Sequence, residues 1–232
     1  MKTQIVIFFI LSASLLAACS PSVSNQPVGT EILPATAPIS HPPATSEPYV
    51  PPPSTVVDAP PASPLTANQV VLARAGEVVQ ALQSQDMARV SAYVHPVQGV
   101  RFSPYGFVKD TDLVFSPAQA AGLPADSSIY SWGNHAGTGE PINLGFTDYY
   151  AKFIYDVDYA NAPQVSLNHR LSGGNSIDNA AEFYPGSMIV EYYFPGFDPQ
   201  YGGMDWRSLK LVFSQADGSW DLVGIIHDEW TP

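Results

Sequence analysis

The order of periodic segments predicts an α+β domain, with N-terminal helices packed on a mainly antiparallel sheet. Three observations carry that class: an apolar stripe at helical spacing after Thr66, a succession of strand-like segments through the C-terminal half, and an Asp217-Gly218 pair suited to a tight hairpin.

In chain order, Thr66-Ala67-Asn68-Gln69 matches a capping box, in which the Thr66 hydroxyl and the Gln69 side chain satisfy helix-start groups reciprocally. Val71, Ala75, Val78, Val79 and Leu82 follow at helical spacing, so a helix running to about Gln83 buries one stripe. A shorter helix starts from Asp86, its cap, and reaches Val94; Pro96 biases His95 away from helical backbone and forces the stop. Strands are expected over 100–108 and 128–132, with one helical turn at 116–121 behind Pro117 and a glycine-rich loop over 133–139. Thr147 opens a third short helix reaching Tyr155, with Asp148 in the first turn, where the helix dipole favours negative charge. Residues 164–171, 181–194, 206–214 and 220–230 then read as strands. In the last of these, Leu222 and Ile226 point one way and Val223 and Ile225 the other, so the strand is covered on both faces or lines a pocket. A two-residue turn sets Arg207 opposite Asp228 and Ser208 opposite His227, whereas a three-residue turn with a bulge sets Arg207 against His227.

Ahead of the domain, Cys19 is the chain's single cysteine and follows Leu16-Ala17-Ala18, a lipobox at the end of an apolar run that begins behind Lys2. Signal peptidase needs small side chains beside the cut, and the thiol accepts a diacylglycerol. Residues 1–18 therefore read as a lipoprotein signal peptide, and Cys19 as the lipidation site that makes a membrane the first partner. From Cys19 to Pro64 the chain is rich in Pro, Ser, Thr and Ala, too poor in apolar content to order itself, and reads as a disordered tether. Residues 65–232 form one globular domain without cysteine, so packing rather than disulfides must stabilise it outside the cytoplasm. The chain holds 9 Lys+Arg against 21 Asp+Glu, an excess that repels phosphate backbones and excludes nucleic acid as a partner.

The element order resembles the nuclear transport factor 2-like (cystatin-like, SnoaL-like) fold, in which helices cap a cone made by a curved antiparallel sheet. That resemblance spans most of 66–230, with insertions over 99–145 beyond the minimal fold. The phrases Arg101-Phe102-Ser103-Pro104-Tyr105, Tyr130-Ser131-Trp132-Gly133, Glu191-Tyr192-Tyr193-Phe194-Pro195-Gly196-Phe197, Met204-Asp205-Trp206-Arg207-Ser208 and Gly224-Ile225-Ile226-His227-Asp228-Glu229-Trp230 resemble bacterial lipoproteins and secreted proteins with no assigned activity. The resemblance implies a fold and a location, and no reaction.

The foremost candidate site joins the 195–206 loop to His227-Asp228-Glu229-Trp230, because hairpin pairing brings Asp205, Trp206 and Arg207 beside the chain end. Carboxylates beside an imidazole and a guanidinium can hold a base, orient a water or clamp a polar ligand; equally, Arg207 with Asp228 is a cross-strand ion pair and His227 a satisfied edge histidine. Asp198 and Asp205 around Gly202-Gly203 offer oxygens to a calcium ion, or simply cap their own backbone. Trp132 and Tyr201, beside glycine-rich turns, are the aromatics expected to be exposed as a sugar platform, the others filling the core. For catalysis inside a cone, Tyr93, Tyr130, Asp205 and His227 are the candidates. Gly133, Gly137 and Gly139 do not make a phosphate cradle and no nucleophile motif is present, so no cofactor is expected. The reading that results is a non-catalytic, membrane-tethered domain that binds a ligand, an envelope glycan or a protein. Its rival is a small cone-shaped acid/base enzyme acting on a hydrophobic or glycan-like substrate.

Overall fold

The computed structural model describes residues 64–174 and 176–231, so Cys19, the signal segment and all but the last residue of the tether lie outside the described residues. Helix α1 (Ala67–Gln83) starts on the expected capping box: Thr66 Oγ1 accepts from Gln69 N–H, and Gln69 reaches back to Thr66 N–H at 2.9 Å. Its stripe Val71, Ala75, Val78, Val79 and Leu82 is buried. Helix α2 (Met87–Ser91) is capped by Asp86 as expected but ends before Val94, because Tyr93 and His95 bond to Leu222 across an isolated parallel bridge. Among the described residues no helix is long and apolar enough to cross a membrane.

Six strands form an open sheet in the order β2-β1-β8-β7-β6-β5: β1 (Val100–Ser103), β2 (Val114–Phe115), β5 (Gln164–Leu167), β6 (Met188–Phe194), β7 (Arg207–Ala216) and β8 (Ser219–Glu229). All pairings are antiparallel except that of β1 with β8. Strands β3 (Tyr130–Asn134) and β4 (Pro141–Leu144) make a separate hairpin whose turn holds the glycine-rich loop. Helix α3 (Pro117–Gly122) follows its Ser116 cap, and α4 (Phe146–Phe153) starts one residue earlier than expected, from Gly145.

Three strand expectations are corrected. The 100–108 segment pairs only as far as Ser103, since Pro104 has no amide to continue the ladder. The 164–171 strand stops at Leu167 because Asn168 takes a left-handed conformation, φ 56°, with its side chain accepting from Ile189 N–H. The start of 181–194 is instead helix α5 (Ala180–Phe183), cut off from β6 by Pro185-Gly186.

The β7–β8 hairpin turns on Asp217 and Gly218, both with positive φ, as the two-residue turn requires. Neither expected register is found. One extra residue, Val223, sits in β8 between the Phe213↔Leu222 and Val212↔Gly224 pairs, so Arg207 faces Glu229, Ser208 faces Asp228 and Leu209 faces His227. The bulge also re-sorts the faces: Leu222 and Ile225 enter the main core, while Val223 and Ile226 go to the opposite side.

The sheet therefore has two covered faces. One lies under α1, α2, α4 and the β3–β4 hairpin, with Val190, Leu209, Leu211, Phe213 and Ile225 pointing into a core that also holds Phe102, Trp132 and Tyr149. Trp132 stacks on Tyr149 at 3.7 Å between centroids, and its indole N–H donates to Leu144 O at 2.9 Å. Trp132, expected as an exposed binding aromatic, is 1% exposed; the alternation of β3 turns it inward from the glycine loop it adjoins. The other face is covered by the 104–112 and 168–187 segments, which pack Val108, Ala180, Phe183 and Tyr184 on Ile189, Val212, Val223 and Ile226.

Candidate functional site

On the second face three consecutive strands each place a buried charge. The cross-strand pairs Glu191↔Lys210 and Ser208↔Asp228 set Glu191 (β6), Lys210 and Ser208 (β7) and Asp228 (β8) on one side by alternation. Lys210 Nζ lies 2.8 Å from Asp178, 3.1 Å from Asp228 and 3.9 Å from Glu191. Glu191 also accepts from Leu171 N–H (2.5 Å), Ser172 N–H (3.1 Å) and Ser208 Oγ (2.6 Å). Ser176 Oγ lies 2.9 Å from both Asp228 oxygens, and Arg170 stands 3.5 Å from Asp178. Leu171, Ser172, Ser176 and Asp178 are thus tied to the sheet by carboxylates that share one ammonium. Burial works against the charge of Lys210, but Asp228, Glu191 and Asp178 outweigh it and raise the ammonium above its usual range. Burial likewise opposes charge on Asp178, yet Lys210, the Ala180 N–H and Arg170 hold that carboxyl below its ordinary value.

His227 is on the other face. Buried among the core aromatics, it meets the Phe153 ring edge-on at 5.8 Å; its Nε2 lies 3.3 Å from Asp156, an ion-pair distance without hydrogen-bond alignment. Asp156 also accepts from Arg207 Nε and the Tyr159 hydroxyl, both at 2.9 Å. Burial disfavours the Asp156 carboxylate, but His227, Tyr159 and Arg207 outweigh that and depress its pKa. Arg207 reaches Glu229 at 3.3 Å as well, so its partners are Asp156 and Glu229, and the expected pair with Asp228 does not form. His227 and Asp228, neighbours in sequence, serve opposite sides of the sheet.

The 195–206 loop does not join them. Asp205 Oδ2 accepts from Phe197 and Asp198 N–H at 2.9 and 2.8 Å, and Asp198 accepts from the backbone and side chain of Gln200 at 2.9 and 2.7 Å. These carboxylates cap their own loop, the alternative to calcium that the sequence left open, and among the described residues no group of three or more His, Cys, Asp or Glu is placed to hold a metal. Tyr201 is exposed and Trp206 buried. Tyr93 donates to Glu77 at 2.7 Å and Tyr130 to Asp126 at 2.6 Å, both at the surface instead of deep in a cavity.

A pocket of about 570 Å³ opens where the loop after β1 meets the β3–β4 turn. Tyr105, Phe107, Asp112, Asn134, His135 and Ser176 are among its lining residues, and Asp228 closes its base. A second pocket, about 320 Å³, lies over Lys210 and Glu191. Gly106 is required at the first: a Cβ there would fall 2.5 Å from Asp228 Oδ2. Sequence reasoning found Asp228 but missed Glu191, Lys210, Asp178, Asp112 and Asp156. A signal existed for Lys210, a lone charge between Leu209 and Leu211 in an apolar strand, and for Glu191, a lone charge within 188–194. Asp112, Asp156 and Asp178 lie in loops, where carboxylates are ordinary.

Scanned against protein-family models, the chain matches none, and searches of curated proteins and of solved structures likewise find no match.

Proposed function

We propose that the chain is a lipid-anchored envelope protein, held outside the cytoplasmic membrane by acylation of Cys19, whose domain binds a ligand or partner without transforming it. The lipobox before Cys19 supports the anchor. A contrast in filling supports binding over catalysis. The helix-covered face of the sheet is packed by Leu82, Phe102, Trp132, Tyr149, Leu211 and Phe213, each at most 1% exposed, leaving a cone-type active site little room. The open pocket lies instead between the 104–112 loop and the β3–β4 turn, outside that packed interior, and is lined by hydrogen-bonding groups. In the same reading the helices cap a curved, cystatin-like sheet, which the early helices and late strands favour.

One observation favours the rival acid/base enzyme: His227 beside the ionised Asp156 has the makings of a general base. Phe153 and Arg207 already occupy those two groups, so we rank it second. The test is twofold. Radiolabelled palmitate must attach to the expressed chain and not to Cys19→Ser, and any ligand that shifts the melting temperature must be recovered chemically unchanged after prolonged incubation. Label absent from the wild-type chain overturns the anchor; a converted ligand, with conversion lost in His227→Gln, overturns the binding reading.

A further inference from the structure

We propose that the pocket between the 104–112 and 133–139 loops is a saccharide site. It takes an uncharged sugar whose hydroxyls donate to Asp112 and Asp228 and whose CH face lies on Phe107. The inference rests on the binding reading above and gives it a place and a ligand class.

Volume and charge narrow the ligand first. About 570 Å³ falls within the range of small-molecule sites, roughly 300–1,000 Å³, and has room for more than one sugar ring. Lys109 is the one lysine or arginine among the lining residues, against the carboxylates of Asp112 and Asp228, and the whole chain carries a net charge of −12. Anionic ligands are repelled. Tyr105 and Phe107 supply ring faces while Asn134, His135, Thr138 and Ser176 offer polar groups, a mix that suits a sugar better than a purely apolar ligand.

The buried carboxylates suit a ligand rich in hydroxyl donors. A carboxylate has about four acceptor positions. Asp112 uses Oδ2 for Ser103 Oγ (2.6 Å) and Lys109 N–H (3.0 Å), and Asp228 takes Ser176 Oγ and Lys210 Nζ. Burial pushes the Asp112 carboxyl above its ordinary pKa, a penalty that ligand hydroxyls relieve. At the mouth, Phe107 is 47% exposed although it is a large apolar ring on an ordered loop, as a stacking surface must be.

The walls are fixed in advance, which matters for a weakly binding, strongly hydrated ligand. Arg101 donates to the carbonyls of Lys109, Asp110 and Asp112 at 3.1, 3.0 and 2.7 Å. Asn179 clamps Val108 through both backbone groups at 2.7 and 3.0 Å. Opposite, Asn134 donates to Gly139 O at 2.9 Å and His135 N–H to Glu140 O at 2.7 Å, closing the hairpin turn.

Isothermal titration calorimetry of the full chain with diacetylchitobiose, cellobiose and maltose, and with a uronic-acid disaccharide as the anionic control, tests this. At least one neutral disaccharide should bind, and the anionic one should bind more weakly or not at all. Phe107→Ala, an exposed site whose folding is checked by circular dichroism, should weaken binding up to roughly tenfold. Asp112→Asn should weaken it further, and Tyr201→Ala should leave it unchanged. No heat from any neutral sugar, preference for the anionic sugar, or affinity indifferent to both pocket variants overturns the inference. Those failures leave the anchor and non-turnover measurements standing. Conversely, conversion of a bound sugar would overturn the reading beneath while keeping this pocket as its site.

Discussion

The two faces of the main sheet solve burial in opposite ways. Leu209, Leu211, Phe213 and Ile225 bury apolar surface under helices, each such side chain contributing about 1.5–3 kcal/mol. One peptide unit away, Ser208, Lys210, Glu191 and Asp228 are as deeply buried, yet a buried ion cluster adds little net stability because desolvation consumes most of its attraction. The first face therefore holds the fold, while the second holds loops: its carboxylates fasten Leu171, Ser172, Ser176 and Asp178 and reach the wall of the pocket.

Removing the shared cation should have the largest effect. Lys210→Met strands three carboxylates and should cost about 3–5 kcal/mol in urea unfolding, as much as Trp132→Ala on the apolar face. Adding Asp178→Asn, Glu191→Gln and Asp228→Asn to Lys210→Met should recover much of the loss, whereas no charge change rescues Trp132→Ala. Next in size is Gly106→Ala, whose new methyl drives Asp228 away; about 1–3 kcal/mol should be lost and the pocket distorted, with no change in α1 helicity by circular dichroism.

Acid should then act through carboxylates on both sides of the sheet. Asp178 on the charged face and Asp156 beside His227 on the other have folded pKa values below their unfolded ones, so the stability they contribute is present above about pH 4 and is lost as pH falls through the folded values. Lys210 runs the other way: its raised pKa contributes below the unfolded value and is lost only in strong alkali. Melting curves from about pH 6 to pH 2.5 should show a decline that Asp178→Asn makes shallower, leaving the share due to Asp156, and that Trp132→Phe leaves as steep. The smallest effect belongs to the helix start, where Thr66→Ala should cost about 0.5–1 kcal/mol by thermal melting, independent of pH over the same range.

How much of this was legible follows from where the information lies. The cap at Thr66, the α1 stripe and the Asp217-Gly218 turn are local patterns, and each appeared as the residues dictate. The charged face was hidden by a single residue. Val223 bulges out of β8, inverts the alternation beyond it, and sends Asp228 to Lys210 and His227 to Asp156, which no local pattern announces. For Asp198 and Asp205 the sequence offered both capping of their own loop and calcium binding, because loop carboxylates of both kinds share one composition; the cap hydrogen bonds depend on loop geometry. Trp132 looked exposed because its glycine neighbour was visible and its stacking partner Tyr149, from α4, was not.

On the proposed reading, ligand meets the 104–112 and 133–139 loops and not the helix-covered interior. Amide shift mapping by NMR of the full chain, titrated with the disaccharide that binds, tests it directly. Shifts are expected at Tyr105, Gly106, Phe107, Asn134, His135 and Ser176, with Leu82, Val190 and Leu211 still. Shifts concentrated around Phe153 and His227, with the two loops silent, would contradict it.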